Sequence, residues 1–378
     1  MEKPVIRISV RNLVEFILQN GDLDNRRGSV DREAMLKGSR LHRKIQKQMG
    51  SNYQPEVSLK RETEYEDLIL LVEGRADGIL TEDGHVTIDE IKGISGEPGQ
   101  LSEPVKVHRA QAMCYARIYA EMENLPEIGV QMTYANLDTE EIRRFQEELT
   151  YEELVIWYDD LLASYHKWVS YQQKWKKERN ASMANLDFPF AYRDGQREMV
   201  TSVYHTLTQG KQIFIQAPTG VGKTMSTVFP AVRAVGEGKG ETIFYLTAKT
   251  ITRTVAQEAF SILQDKGLLF KVVTITAKEK LCTCEKMECN PDACPRAKGH
   301  LDRVNDAVYE LWTTGQTFDR QTLLEQAEKW QVCPFEMCLD LAVWVDAVIC
   351  DYNYVFDPNA HLRRFFWRRR GGRIYFPY

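Results

Sequence analysis

The sequence predicts an α/β protein of two or three domains, and three observations predict it. Its 378 residues exceed what one ordinary core holds. Residues 56–92 alternate polar and apolar as consecutive strands between helical stretches. Farther on, a β-branched and aromatic run at 212–216 breaks into a glycine-rich loop and then a helix. No apolar run approaches the roughly 20 residues of a membrane span, and Met1-Glu2-Lys3-Pro4 opens no apolar signal segment, so the expectation is a cytoplasmic protein with no membrane partner. A net charge of −5 with mixed signs neither demands nor excludes nucleic acid.

The opening helix is expected over residues 10–19, capped by Ser9, with Leu13, Phe16 and Ile17 on one face and Asn20-Gly21 as the stop. A second helix over 31–49 buries Leu41, Ile45 and Met49. His42 lies beside that stripe, one turn after Gly38, and alone reads as an ordinary half-exposed helix residue. Strands are expected at 56–59, 68–72 and 76–80 and, after a Glu82-Asp83-Gly84 turn, at 85–92. Asp77 belongs to the third, while Glu90 and Lys92 are two apart in the fourth and project from one face. Two carboxylates and an ammonium around one point suit metal-dependent phosphodiester cleavage: the acids hold Mg²⁺ or Mn²⁺, and the lysine orients water or neutralises developing charge. A cross-strand surface ion pair is the competing reading.

With their neighbours, these residues resemble the PD-(D/E)xK nuclease superfamily, most closely its RecB-like branch. The elements are the Gly38-x-x-x-His42 helix, the Gly74-Arg75-Ala76-Asp77-Gly78 strand, the Ile88-Asp89-Glu90-Ile91-Lys92 strand, and a helix with Gln111-Ala112-Met113-Cys114-Tyr115. The resemblance implies a nuclease domain over residues 1–150. His42, Asp77 and Glu90 would be metal ligands, Lys92 the catalytic lysine, and Gln111 and Tyr115 the lining of the site for single-stranded or branched DNA. A nuclease fold retained only for DNA docking is the alternative. Some members of that branch carry an iron-sulfur cluster; with Cys114 as its single cysteine, this domain should not.

Residues 151–177 continue as a helix with Leu154, Trp157, Leu161, Tyr165 and Trp168 at three- and four-residue spacing. Such a stripe reads as domain packing, with a base-stacking platform as the alternative. The run Lys174-Trp175-Lys176-Lys177-Glu178-Arg179-Asn180 loses the apolar face, so residues 151–185 are set apart as a helical linker.

In Ala217-Pro218-Thr219-Gly220-Val221-Gly222-Lys223-Thr224, Gly220 and Gly222 let the backbone curl with its N–H groups inward. Lys223 can reach the β- and γ-phosphates of ATP, and the Thr224 hydroxyl can hold its Mg²⁺ at a helix N-terminus. A chance glycine-rich turn is the competing reading. Ala217 stands where the first glycine is usual, and this variant resembles superfamily-two helicases. Arg193 and Gln196, in Tyr192-Arg193-x-Gly195-Gln196-Arg197, are similar to the adenine-contacting segment of XPD/DinG helicases; a capped helix is the plainer view. Pro230 should kink the following helix, which Gly236, Gly238 and Gly240 end. A strand at 242–246 leads into Thr247-Ala248-Lys249-Thr250, where such helicases touch the DNA backbone.

Of eight cysteines, six fall between Cys282 and Cys338, which points to metal rather than disulfides. They follow a strand at 271–275. Paired Cys-x-x-Cys knuckles are absent; Cys282, Cys289 and Cys294 with a distant Cys333-Pro334 suit a [4Fe-4S] cluster, with zinc or unliganded thiols as alternatives. The run resembles the cluster insertion of XPD/DinG helicases, here residues 282–340. Cys284 and Cys338 are the spares, though Cys284 could replace Cys282.

Residues 186–281 and 341–378 are then expected to form an incomplete RecA-like P-loop domain. Residues 347–354 read as a buried strand ending in a polar loop. In these helicases the next strand bears Asp-Glu-Ala-His, and no Asp-Glu-x-His occurs in the chain. After Arg363-Arg364-Phe365-Phe366 the text turns Arg- and Gly-rich from Trp367. The expectation is a chain truncated by a frameshift near Trp367, able to bind ATP but hardly to hydrolyse it, and aggregation-prone in its C-terminal half. The resemblance as a whole implies an ATP-dependent DNA helicase of XPD/DinG type, 5′ to 3′, fused to a metal-dependent nuclease and acting in DNA repair or processing. The alternative is a nuclease or DNA-binding module with a relic nucleotide-binding half.

Overall fold

Two sheets, one mixed and one parallel, organise the chain. The computed structural model describes residues 3–26, 32–248, 250–357 and 374–377. They divide into two compact units, Met1–Asn20 with Asn25–Ser170, and Gly21–Asp24 with Tyr171–Tyr378.

In the first unit, β1 (Val5–Ser9) runs straight into α1 (Val10–Ile17), where Ser9 Oγ accepts the Asn12 N–H at 3.2 Å and caps the helix. α2 (Arg32–Gln48) buries Leu41 and Ile45, four residues apart, against Ile91 and Ala135. β2 (Tyr53–Glu64), β3 (Ile69–Glu82) and β4 (His85–Ile94) follow. The strands expected at 68–72 and 76–80 are thus one. A Cβ on Gly74 would lie 2.7 Å from the Tyr115 hydroxyl, so this glycine makes room for a ring instead of ending a strand. α3 (Lys106–Glu123), β5 (Glu127–Asn136) and β6 (Ile142–Thr150) complete a sheet ordered β1-β3-β4-β5-β6, with β2 also on β3. β1, which periodicity does not signal, joins β3 in parallel.

α4 (Tyr151–Met183) contains the division between the units. Leu154, Leu161, Tyr165 and Trp168 are buried, and Phe16 meets Tyr165 and Trp168 edge-on. Trp157 is only half-buried.

The second unit continues with α5 (Gln196–Thr208), α6 (Lys223–Gly236), β7 (Thr242–Thr247), α7 (Thr250–Asp265), β8 (Val272–Thr274) and α8 (Lys278–Leu281). Then come α9 (His300–Thr314), β9 (Thr317–Phe318), α10 (Arg320–Trp330), α11 (Pro334–Leu341), β10 (Ala347–Asp351), α12 (Asn353–Phe356) and β11 (Ile374–Tyr375). The sheet is parallel, in the order β11-β7-β10-β8-β9. Val228, Val232 and Val235 of α6 and Phe260 and Leu263 of α7 pack on Ile243 and Ile349.

Two expectations change here. The apolar run at 212–216 is not a strand: no described strand offers it a ladder, and Phe214 stands 90% exposed. Composition favours a strand, but pairing makes one. The run 174–180 keeps a buried face: Trp175 and Arg179 are buried, and Asp346 accepts from Trp175 Nε1 at 2.8 Å and from Arg179 Nη1 at 2.7 Å. In the tail, Ile374 and Tyr375 add a short edge strand beside β7, and Leu246 N–H donates to the Pro377 carbonyl. Trp367 and the Arg-Gly run lie outside the described residues. Among the described residues, no helix is long and apolar enough to cross a membrane.

Candidate functional site

In the first unit the β3–β4 ladder runs from Glu82 opposite His85 to Gly78 opposite Asp89 and stops. Asp77 and Glu90 are next in line. The Asp77 carboxylate takes the Ile91 N–H on Oδ2 at 2.8 Å, and Lys92 Nζ donates to Glu90 Oε1 at 2.7 Å. Glu90 is 5% exposed, and its Oε2 has no hydrogen-bond partner. Burial pushes the Glu90 pKa up to about 7, against the pull of Lys92 and with added repulsion from Asp77. His42 Nδ1 lies 3.7 Å from Asp77 Oδ1. On α3, Gln111 and Tyr115 are buried one turn apart. Burial raises the Tyr115 pKa, and the nearby Glu90 raises it further. His42, Asp77, Glu90, Lys92 and Tyr115 are therefore brought together, with Gln111 on the same helix face as Tyr115.

Sequence reasoning misses two neighbours of this group. Gln46 Nε2 donates to the main-chain carbonyl of Asp77 at 2.9 Å and to Glu56 Oε1 at 3.1 Å. It lies one turn after His42, so helical period is the signal that finds it. His108 Nδ1 is 3.3 Å from the Tyr134 hydroxyl, and burial, with the Lys92 charge nearby, takes the His108 pKa down to about 4. A separate polar cluster holds Asp89, whose carboxylate accepts from Tyr53, Gln131 and Thr133.

Among the described residues, no three His, Cys, Asp or Glu side chains form a ready-made metal cage. The fit of the Asp77–Glu90 pair to a divalent cation is one of donor chemistry. A buried carboxylate with one oxygen on an ammonium and the other unpartnered, beside a second carboxylate, is a donor set that suits Mg²⁺ or Mn²⁺.

In the second unit, Gly220 and Gly222 have φ of 84° and 78°, the left-handed region glycine reaches without strain, and Gly222 caps α6. Lys223 Nζ donates to the carbonyls of Ala217 and Pro218, both at 2.9 Å. Arg193 donates to the Gly220 carbonyl, and its N–H donates to Gln196 Oε1 at 3.1 Å. A Cβ on Gly222 would come within 2.5 Å of Gln196 Nε2, so the Arg193–Gln196 segment lies directly against the loop. An open cleft of about 410 Å³ is lined by Phe190, Arg193, Thr219, Lys223, Thr224 and Glu258, among others. Thr247, expected near a DNA backbone, is buried and donates to the Cys350 carbonyl at 3.4 Å, while Lys249 lies outside the described residues.

The thiols gather around α8, α11 and the loop between α8 and α9. Cys284, set aside by its spacing, has its Sγ 3.6 Å from Cys294 Sγ, and burial first, then this contact, pushes its pKa up to about 11. Cys282 ends α8, and Cys333 precedes α11 with its N–H on His300 Nδ1 at 3.1 Å. The Lys278 ammonium stands beside Cys289 and Cys333, a cation next to groups that bind metal as thiolates. Cys338 is buried in α11. As a donor set these thiols fit iron or zinc.

With this geometry in view, comparison with known proteins is informative for the second unit. Residues 193–303 match the DEAD/DEAH box helicase family. The matched stretch holds Arg193, Gln196, the P-loop and three of the four cysteines predicted as ligands, and its parallel sheet is consistent with a RecA-like helicase domain. Regulator of telomere elongation helicase 1 of Homo sapiens is 24% identical over 46% of this chain and 18% of its own length. The Rattus norvegicus protein is 22% identical with the same coverage, and the Caenorhabditis briggsae homolog is 20% identical over 48% of this chain and 22% of its own. The chain spans about a fifth of the length of these curated relatives. The solved structure of SSO0001 is 19% identical, covering 43% of this chain and 77% of that one, at a TM-score of 0.28.

Proposed function

We propose that this chain joins an ATP-binding, helicase-type unit of the XPD/DinG iron-sulfur kind to a metal-dependent DNA nuclease, and that it acts in DNA processing or repair in the cytoplasm. The observation that carries the reading is that the stretch similar to DEAD/DEAH box helicases contains a phosphate cradle with its lysine in place. The nuclease half rests on its resemblance to the RecB-like branch and on the unpartnered oxygen of buried Glu90 beside Asp77.

In the nucleotide cleft Lys223 donates to the Ala217 and Pro218 carbonyls, which it would exchange for phosphate oxygens when ATP binds, and the N-terminus of α6 would add its positive dipole end. Thr224 would hold Mg²⁺, with Gln196 and Arg193 on the adenine side. For the residues given, the reading is nucleotide binding. Cys282 or Cys284, with Cys289, Cys294 and Cys333, would hold a [4Fe-4S] cluster.

In the nuclease unit, Asp77 and Glu90 would hold Mg²⁺ or Mn²⁺, with His42 beside Asp77. The ion supplies Lewis-acid polarisation of the phosphate and an acidified water. Lys92 keeps one Glu90 oxygen engaged and places an ammonium where charge builds on the phosphate. Gln111 and Tyr115 line the DNA side.

The purified chain tests both halves, with a fluorescent ATP analogue for the cleft and single-stranded DNA with Mn²⁺ for the nuclease. Absence of nucleotide uptake removes the first half of the reading, and absence of Mn²⁺-dependent cleavage removes the second. The exposed, unpaired run before the P-loop favours one other reading, a nuclease or DNA-binding module with a relic nucleotide half; cleavage without ATP uptake is its signature.

A further inference from the structure

We infer that Gln46 is a positioning residue for the metal ligand Asp77, acting through the backbone of β3; the inference rests on the nuclease reading above. The β2–β3 ladder pairs Pro55 with Gly78 and Val57 with Ala76, and Glu56 lies between those pairs, opposite Asp77. Glu56 has φ of 59°, a left-handed conformation inside a strand, which a non-glycine residue adopts only where its surroundings hold it. Pro55, beside it, has no N–H to give. At this interruption the Asp77 carbonyl takes its hydrogen bond from a side chain: Gln46 Nε2, at 2.9 Å.

The same nitrogen binds Glu56 Oε1 at 3.1 Å, and the other Glu56 oxygen holds Arg75 at 2.6 Å. One buried amide thus fixes both the distorted residue and the ligand opposite it. Gln46 is one turn beyond His42 on α2, so the helix that brings His42 to Asp77 Oδ1 is the one that grips the Asp77 backbone. On the other side, Asp77 Oδ2 is tied to the Ile91 N–H. With its carbonyl and one carboxylate oxygen both anchored, Asp77 presents Oδ1 in a fixed direction. Ligand-orienting contacts of this kind commonly change metal affinity about 10- to 100-fold when removed.

The test is Mn²⁺ titration of the full metal-free chain, followed by the resonance of free Mn²⁺, with thermal unfolding measured in parallel. Gln46→Met keeps the length and removes the donor. Gln46→Asn keeps the amide and shortens its reach, and decides the matter if the Met variant does not fold. The expected result is an Mn²⁺ dissociation constant raised about fivefold or more with the melting temperature unchanged. A smaller change overturns the inference, as does a loss of affinity that only tracks a fall in stability. If the unaltered chain takes up no Mn²⁺, the nuclease reading itself fails and the inference falls with it, an outcome distinct from normal uptake that is insensitive to Gln46.

Discussion

Lys92 Nζ lies 2.7 Å from Glu90 Oε1, two residues away on the same face of β4, while Glu90 Oε2 has no hydrogen-bond partner. A buried carboxylate half-satisfied in this way is poorly matched to its own charge and titrates accordingly.

Because burial raises the Glu90 pKa to about 7, the metal-free fold favours the protonated acid. Its contribution to stability is full below the ordinary carboxylate range and is lost as pH rises through about 7. Mn²⁺ affinity runs the other way, because the ligand is the carboxylate. Buried His108, with its pKa lowered to about 4, acts with the opposite sign in this range, so the Glu90 share is read as the difference between the unaltered chain and Glu90→Gln. Urea unfolding and Mn²⁺ titration are expected to show opposite Glu90-dependent slopes, and Glu90→Gln should lose cleavage.

Lys92→Met is expected to lower Mn²⁺-dependent DNA cleavage by about 100-fold or more, because it removes the ammonium facing developing charge. Metal uptake should persist, since Lys92 is not a ligand. Single-turnover cleavage at saturating Mn²⁺ measures the effect.

Lys223→Ala should weaken ATP binding by about 10-fold or more with no change in circular dichroism, because the lysine caps only loop carbonyls when nucleotide is absent. Fluorescence anisotropy with a labelled ATP analogue is the measurement.

Cysteine substitution separates the thiols. Cys284→Ser is expected to reduce bound iron and the visible absorption of anaerobically purified protein, because this thiol stands against Cys294. Cys338→Ser, at a buried position in α11, should leave both unchanged.

Asp346→Ala should destabilise the second unit by about 3–5 kcal/mol, because it removes the carboxylate that pairs with the buried Arg179 guanidinium and accepts the Trp175 N–H. Chemical denaturation followed by tryptophan fluorescence reports it.

Much of the geometry is legible in the sequence where the information is local. A turn at Asp83-Gly84 between alternating strands sets the register that brings Asp77 beside Glu90, and a helical period aligns Leu41 with Ile45. Gly220 and Gly222 announce a backbone only glycine adopts readily. What stays hidden depends on distant partners. The run holding Trp175 and Arg179 shows no apolar face in the sequence, and its buried side appears only when Asp346, far along the chain, is folded against it. The gap between the strands expected at 68–72 and 76–80 closes once the Tyr115 ring is seen above Gly74. Gln46 carries no motif, and its use appears only with the interruption at Glu56.

The exposed run before the phosphate loop has a practical consequence. Phe214, flanked by Ile213 and Ile215 and lacking any ladder among the described residues, presents an open peptide to a chymotrypsin-type protease. Cleavage there breaks the chain between α5 and the phosphate loop in a single cut, and the rate of that cut becomes a gauge of any partner strand or ligand that draws the segment into a sheet.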